Sequence, residues 1–419
     1  MEKVRHANEF IQSKKDKVDP EYRLNYHFMG EHGWVNDPNG FIYFADEYHL
    51  FYQHNPYGAV WDKMHWGHAA SKDLVKWRYL PIALAPDRCY DYDGCFSGSA
   101  VTYNNGLSLF YTGFVYTGSN KKSDYQQTQC LAYAKDGVNF HKFKGNPVIG
   151  RDLIPPEASK RDFRDPKVIR RGEVYYVLIG SQDRSGKGQV LLYKTRDLLD
   201  WQFVGVVAKS NGKMGNTWEC PDYFSLRNRD YLLISAQFMP RCGDDFRNLH
   251  SSLYFSGEMN FTNGTFNITN YYPLDYGFDF YAPQTLLDQQ GRRVMVAWMN
   301  MWDTAETTHS LGHNWAGAMT FPREIVEDDG KLLFQPVKEI EQYRQNRFTL
   351  QDVTFCGEQA LPLNGDCYEL IVCFVDAKAK EFGLKLRVSA TEETVIAYQR
   401  IEEVIVFNRD RSGLGPPGE

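Results

Sequence analysis

The sequence predicts an all-β protein whose main body is a five-bladed β-propeller, with a second β domain behind it. Three observations predict this: one pattern recurs five times, a second hairpin element follows several copies, and the composition favours strands. The pattern opens with an acidic or polar residue beside Pro or Gly and runs as a short strand. It then turns at Gly, Asp or Asn and returns as an apolar, aromatic strand. The copies are DPNGFIYFADEYHLFYQ from Asp37, SGSAVTYNNGLSLFYTG from Ser97, DPKVIRRGEVYYVLIGS from Asp165, ECPDYFSLRNRDYLLISA from Glu219 and APQTLLDQQGRRVMVAWMN from Ala282. Their starts lie 60, 68, 54 and 63 residues apart. SKDLVKW (71–77), AKDGVNF (134–140) and TRDLLDW (195–201) form the second element, an outer hairpin ending on an aromatic. Two hairpins make a four-stranded blade, and blades repeated around an axis leave few sheet edges open. The long period implies long inter-blade loops that shape a pocket.

Taken in order, residues 1–23 are expected to be helical, since Val4, Ala7, Phe10 and Ile11 recur at helical spacing among charges. Residues 24–336 form the propeller and 337–347 a linker helix. Residues 348–419 form the second domain, whose strands are read at Cys367–Val375, Glu381–Ser389, Thr394–Arg400 and Glu403–Arg409 from their alternation. The chain stops shortly after Asp410, so this domain is expected to be incomplete. An exposed edge strand, reduced solubility and self-association through that edge follow.

Composition narrows the function. Against 53 acidic side chains stand 47 basic ones, a net charge of -6, which argues against a nucleic-acid-binding surface. No stretch approaches the unbroken apolar length of a membrane helix, and the start lacks the apolar core of a secretion signal, so a soluble cytoplasmic protein is expected. Eight cysteines without CxxC pairs suit reduced thiols. The sequons at Asn260, Asn263 and Asn267 are then a coincidence of a polar turn. The 27 Tyr, 27 Phe and 9 Trp fit both a sheet core and a sugar-stacking surface.

The repeat also carries chemistry. If each copy opens the innermost strand of its blade, Asp37, Asp165 and Glu219 converge on one end of the central channel. Any one of them alone would be read as a turn-capping residue. Clustered carboxyls admit a hard-metal site, a strained structural network or a glycosidase. No DxDxDG loop supports calcium, and no metal or other cofactor is expected. A glycosidase needs one ionised carboxylate and one carboxylic acid, and crowding drives such a pair apart in pKa. Glu219 sits between Trp218 and Cys220, an apolar setting suited to the acid, whereas Asp37 sits between Asn36 and Pro38 among polar groups suited to a carboxylate.

WVNDPNG (34–40), FYQHNP (51–56), FSGS (96–99), FRDP (163–166), WECPD (218–222) and FYAPQT (280–285), in this order and spacing, together resemble glycoside hydrolase family 32, the invertase and fructan hydrolase family. The resemblance implies a five-bladed β-propeller followed by a β-sandwich, and hydrolysis of terminal β-fructofuranosides with retention. It further implies Asp37 as nucleophile, Glu219 as acid/base and Asp165 as transition-state stabiliser. Asn36, Gln53, Trp61, Phe96, Ser97, Arg164, Tyr281 and Trp298 are implied to line the sugar pocket. In that setting Arg164 is expected to hold Asp165 ionised, while Trp61 and Trp298 would serve equally well as core. HWGHAAS (65–71), GCFSGSA (94–100) and the start of the chain resemble the bacterial sucrose and sucrose-6-phosphate hydrolases within the family. Which of Arg88, Arg241 and Arg247 would reach a 6-phosphate is open. Alternatives are a fructan exohydrolase or fructosyltransferase on the same fold, an inverting arabinan or xylan hydrolase, and an inactive carbohydrate-binding propeller. His65 with His68 and His309 with His313 have ligand-like spacing but no HExxH frame. Gly186 and Gly188 form no phosphate-binding fingerprint.

Overall fold

The computed structural model describes residues 2–375 and 377–413. They form two compact units, one of residues 2–303 and 312–342, the other of 304–311 with 343–375 and 377–413. The first unit carries five antiparallel sheets in chain order. Their innermost strands are Gly33–Phe44, Gly94–Tyr103, Ala158–Arg171, Trp218–Leu226 and Tyr281–Leu287, and each holds the start of one copy of the repeat. These strands pack on one another in cyclic order, the fifth returning to the first, so the sheets are the blades of a closed propeller. A two-residue strand, Trp315–Ala316, pairs in parallel with Gly33 and Trp34 at that closure.

The second strand of each blade is buried on both faces along most of its length, which explains its uninterrupted apolar run. In Gly106–Tyr116, Phe110 enters the cluster shared with the third blade (Val168, Val177, Leu191, Trp201), while Leu109 and Tyr111 enter the one shared with the first blade (Phe51, Trp66). Leu178 likewise faces the fourth blade while Val177 and Ile179 face the second. Side chains alternating across a strand thus supply two neighbouring cores.

The outer element repeats at atomic detail. Asp73, Asp136 and Asp197 each accept two following backbone N–H groups through Oδ1, at 2.8 to 3.0 Å. The next residue, Leu74, Gly137 or Leu198, adopts φ between +62° and +71°. These Asx turns join the third and fourth strands of the first three blades. At the amino end, the helix Glu2–Lys14 buries Ala7 and Ile11 against Ile82.

In the second unit the strands are Glu381–Leu386, Glu393–Gln399 and Val404–Arg411, in one antiparallel sheet. The strand expected at 367–375 is not formed. That segment is exposed and pairs with no strand among the described residues, so its alternation has no ladder to stabilise it. Where a linker helix was expected at 337–347, a short 3-10 helix spans Lys338–Tyr343.

Candidate active site

All five innermost strands break register at the start of the repeat copy. Pairing jumps between Val35 and Pro38, Phe96 and Gly98, Lys167 and Arg164, Glu219 and Asp222, and Tyr281 and Gln284. Each bulge adds one residue to the inner strand, and four of them contain an X-Pro step: Asp37-Pro38, Asp165-Pro166, Cys220-Pro221 and Ala282-Pro283. Proline has no N–H to give to a ladder, so a bulge is where a strand tolerates it, and the bulge re-aims the preceding side chain. Asp165, Cys220 and Ala282 accordingly take φ of +61°, +45° and +52°. Left-handed backbone at non-glycine residues is a strain that surrounding structure must hold.

Polar side chains lock these strands together. Asn39 accepts from the Gly98 N–H at 3.1 Å, and Gln284 donates to the Gly98 carbonyl at 2.6 Å. Ser99 bridges the Pro166 carbonyl and the Val168 N–H at 2.7 and 2.9 Å. Lys167 forms a buried ion pair with Asp222 of the fourth blade at 2.9 Å and donates to the Thr285 carbonyl of the fifth at 3.0 Å.

On this frame Asp37, Asp165 and Glu219 come together. The Cys220 N–H donates to Asp165 Oδ2 at 3.0 Å, and the Cys220 thiol lies 3.5 Å from Asp37 Oδ2 and 3.6 Å from Asp165 Oδ2. Cys220 therefore packs between the two aspartates, and its neighbour in sequence is Glu219. Asp37 also accepts from Ser97 Oγ at 2.6 Å and from Asn36 Nδ2 at 3.1 Å, and Asn36 is itself fixed by the Trp34 indole at 2.7 Å. The Asp165 N–H is held by Thr112 Oγ1 at 2.9 Å.

The acid expected in an apolar setting has none. Glu219 receives Arg164 Nε on Oε1 at 2.9 Å and the Tyr281 hydroxyl on Oε2 at 2.6 Å. Its neighbour Trp218 packs into the core between the third and fourth blades, and Cys220, at the bulge, turns its thiol to Asp37 and Asp165. Arg164 was expected on Asp165. Its hydrogen bonds go instead to Glu219, Gln127 and Asp162, and only its charge acts on Asp165.

Burial is the main influence on both aspartates. It raises Asp37, against the donors Ser97 and Asn36 and with help from the charge of Glu219. It pushes Asp165 up to about 7, against the lowering by Arg164 and reinforced by Glu219 and Asp37. The carboxyls thus oppose one another's charge in a buried space, with the Arg164 guanidinium acting on Glu219 and Asp165, and this favours a proton held on the aspartates. Such an arrangement can supply a carboxylate and a carboxylic acid together.

The remaining expected pocket residues fall into three places. Gln53 is buried and donates to the Cys95 carbonyl at 3.1 Å. Trp61, 40 % exposed, meets the edge of Phe96, which stacks on Phe114 at 4.2 Å between ring centres. Trp298 is fully buried behind Trp34, and half-exposed Trp302 covers both. Sequence reasoning missed Trp34, Thr112, Gln127, Asp162 and Trp302. All but Trp34 lie outside the motifs, and Trp34, though in one, shows its role only through its bond to Asn36.

Comparisons with known proteins agree over nearly the whole chain. Residues 27–336 match the Glycosyl hydrolases family 32 N-terminal domain and residues 339–418 the Glycosyl hydrolases family 32 C terminal. A raffinose invertase of Escherichia coli is 43% identical over 365 residues, covering 86% of this chain and 75% of that protein. A sucrose-6-phosphate hydrolase of Bacillus subtilis is 38% identical over 412 residues, covering 97% and 83%. Among solved structures, a GH32 beta-fructofuranosidase of Bombyx mori superposes with a TM-score of 0.76 at 40% identity, over 82% of this chain and 71% of that one.

Proposed function

The chain belongs to glycosyl hydrolase family 32 and is a glycoside hydrolase, and on that premise we propose that it is a retaining β-fructofuranosidase. Its substrate is sucrose or sucrose 6-phosphate, from which it releases fructose and glucose or glucose 6-phosphate. The observation that carries this is the meeting of Asp37, Asp165 and Glu219 around Cys220 at one end of the propeller channel. In the first step an Asp37 oxygen attacks the anomeric carbon of the fructosyl unit while Glu219 protonates the departing glycosidic oxygen. The product is a fructosyl ester on Asp37 and a free sugar. Glu219, now a carboxylate, then takes a proton from water. That water attacks the same carbon and returns Asp37 as a carboxylate.

Ser97 and Asn36 aim the Asp37 carboxylate, and Tyr281 and Arg164 orient that of Glu219. Asp165 accepts fructose hydroxyls whose bonds tighten as the ring flattens. The exposed face of Trp61 offers a stacking surface for the sugar. Eight free cysteines suit a reducing cytoplasm, and no helix among the described residues is long and apolar enough to cross a membrane. The test is NMR-followed hydrolysis of sucrose and of sucrose 6-phosphate, with inulin as control. Initial release of β-fructofuranose from either sucrose supports the proposal. Release of the α-anomer, or turnover of inulin alone, rejects it.

A further inference from the structure

Arg164 is one cation facing two carboxylates. Its Nε donates to Glu219 at 2.9 Å, while Nη1 donates to Asp162 Oδ1 at 3.1 Å and to Gln127 Oε1 at 3.2 Å. Asp162 is buried and takes donors on both oxygens: Tyr125 at 2.8 Å, Ser159 at 3.0 Å, and the Gln182 amide. It lies on the innermost strand of the third blade, Tyr125 on the third strand of the second, and Glu219 on the innermost strand of the fourth. Nothing in the reaction requires Asp162 to touch sugar. It nevertheless takes a donor from the same guanidinium as the acid/base.

We propose that Asp162 is a positioning residue that divides the Arg164 guanidinium with Glu219 and thereby sets the pH above which Glu219 no longer carries the proton for the leaving group. The inference rests on the assignment of Glu219 as acid/base. Besides Arg164 and Tyr281, Glu219 faces Cys220, Asp37, Asp165 and His250, and Asp162 faces Arg164 and Tyr125. Burial would keep Asp162 protonated, but Arg164, Gln182 and Tyr125 more than reverse it, so it stands as an anion. Removing that anion frees the guanidinium to pair fully with Glu219 and takes away a nearby negative charge. Both changes favour the ionised acid.

The experiment compares wild type with Asp162→Asn on sucrose and on nitrophenyl β-fructofuranoside, whose leaving group departs with little protonation. On sucrose, the alkaline limb of kcat/KM should move down by about one pH unit, with a loss of about tenfold at pH values above the wild-type limb. KM should change little, and the loss on the nitrophenyl substrate should stay within about twofold. Tyr125→Phe, which strips one donor from Asp162 and draws Arg164 towards it, should move the same limb upwards. Asp162→Glu should restore most of it. Equal losses on both substrates with an unmoved limb would overturn the proposal and leave Asp162 a structural residue. An Asp162→Asn chain that does not fold passes the decision to the sign of the Tyr125→Phe shift, and a downward or absent shift there rejects it. The assignment of Glu219 is judged separately by Glu219→Ala, which should lose sucrose hydrolysis far more than nitrophenyl hydrolysis.

Discussion

The two units read alike in sequence and differ in what covers their strands. In the propeller, the strand Val174–Asp183 is buried along most of its length because blades lie on both faces. In the second unit, Val404–Arg411 alternates between partly buried and exposed side chains, leaving Ile405 75% exposed. Ile371 and Val375 are likewise exposed, at 85% and 79%. Alternating apolar residues therefore specify a strand surface, while a partner sheet decides whether that surface becomes a core. The difference also places the chemistry. Strained bulges at Asp165 and Cys220 persist only where neighbouring blades hold them.

The largest expected contrast is in activity. Asp37→Asn should reduce kcat on sucrose by at least about a thousandfold with the folded state intact, because an amide of the same shape cannot form the ester. Lys385→Ala, which removes an exposed pair with Glu358 and Glu393 in the second unit, should leave kcat unchanged. Steady-state kinetics with a circular-dichroism melt separates the two.

Stability gives the next contrast. Phe110→Ala empties a fully buried site between two blades and should cost about 3–5 kcal/mol in urea unfolding. Ile405→Ala should stay within about 0.5 kcal/mol. A comparable loss at both positions would mean that the second unit buries this residue in solution.

The buried carboxyls should weaken the propeller as pH rises. Asp165 goes from 3.8 to about 7 on folding, so the folded state holds its proton more tightly than the unfolded chain does. The stability this gives is complete below about pH 4 and is lost as pH rises through about 7. Asp165→Asn has no such proton to lose. It should melt progressively higher than wild type from pH 4 to pH 8, by about 1–3 kcal/mol at the upper end, while losing activity. A constant difference across that range would contradict the linkage.

The smallest effect concerns the edge of the second unit. We expect its three-stranded sheet to self-associate through exposed strands, and Ile405→Lys to weaken that association without altering kcat. Sedimentation velocity over a range of concentrations checks it, and a concentration-independent monomer in wild type rejects it.

The meeting of Asp37, Asp165 and Glu219 was legible because the repeat puts them at matching positions. Their surroundings were not. The apolar setting read for Glu219 from Trp218 and Cys220 failed because Trp218 goes to the core and the Cys220 thiol to the two aspartates. The groups that hold it, Arg164 and Tyr281, stand 55 and 62 residues from it in sequence. The strand read at 367–375 failed for a related reason, since alternation carries no information about a pairing partner.

By itself, then, the sequence determined the number of blades and which three carboxyls meet, because periodicity and turn chemistry are local. Only the tertiary structure decided what surrounds each of them. That depends on burial, on the bulges that turn Asp165 and Cys220 inward, and on the one guanidinium that several blades bring to the same place.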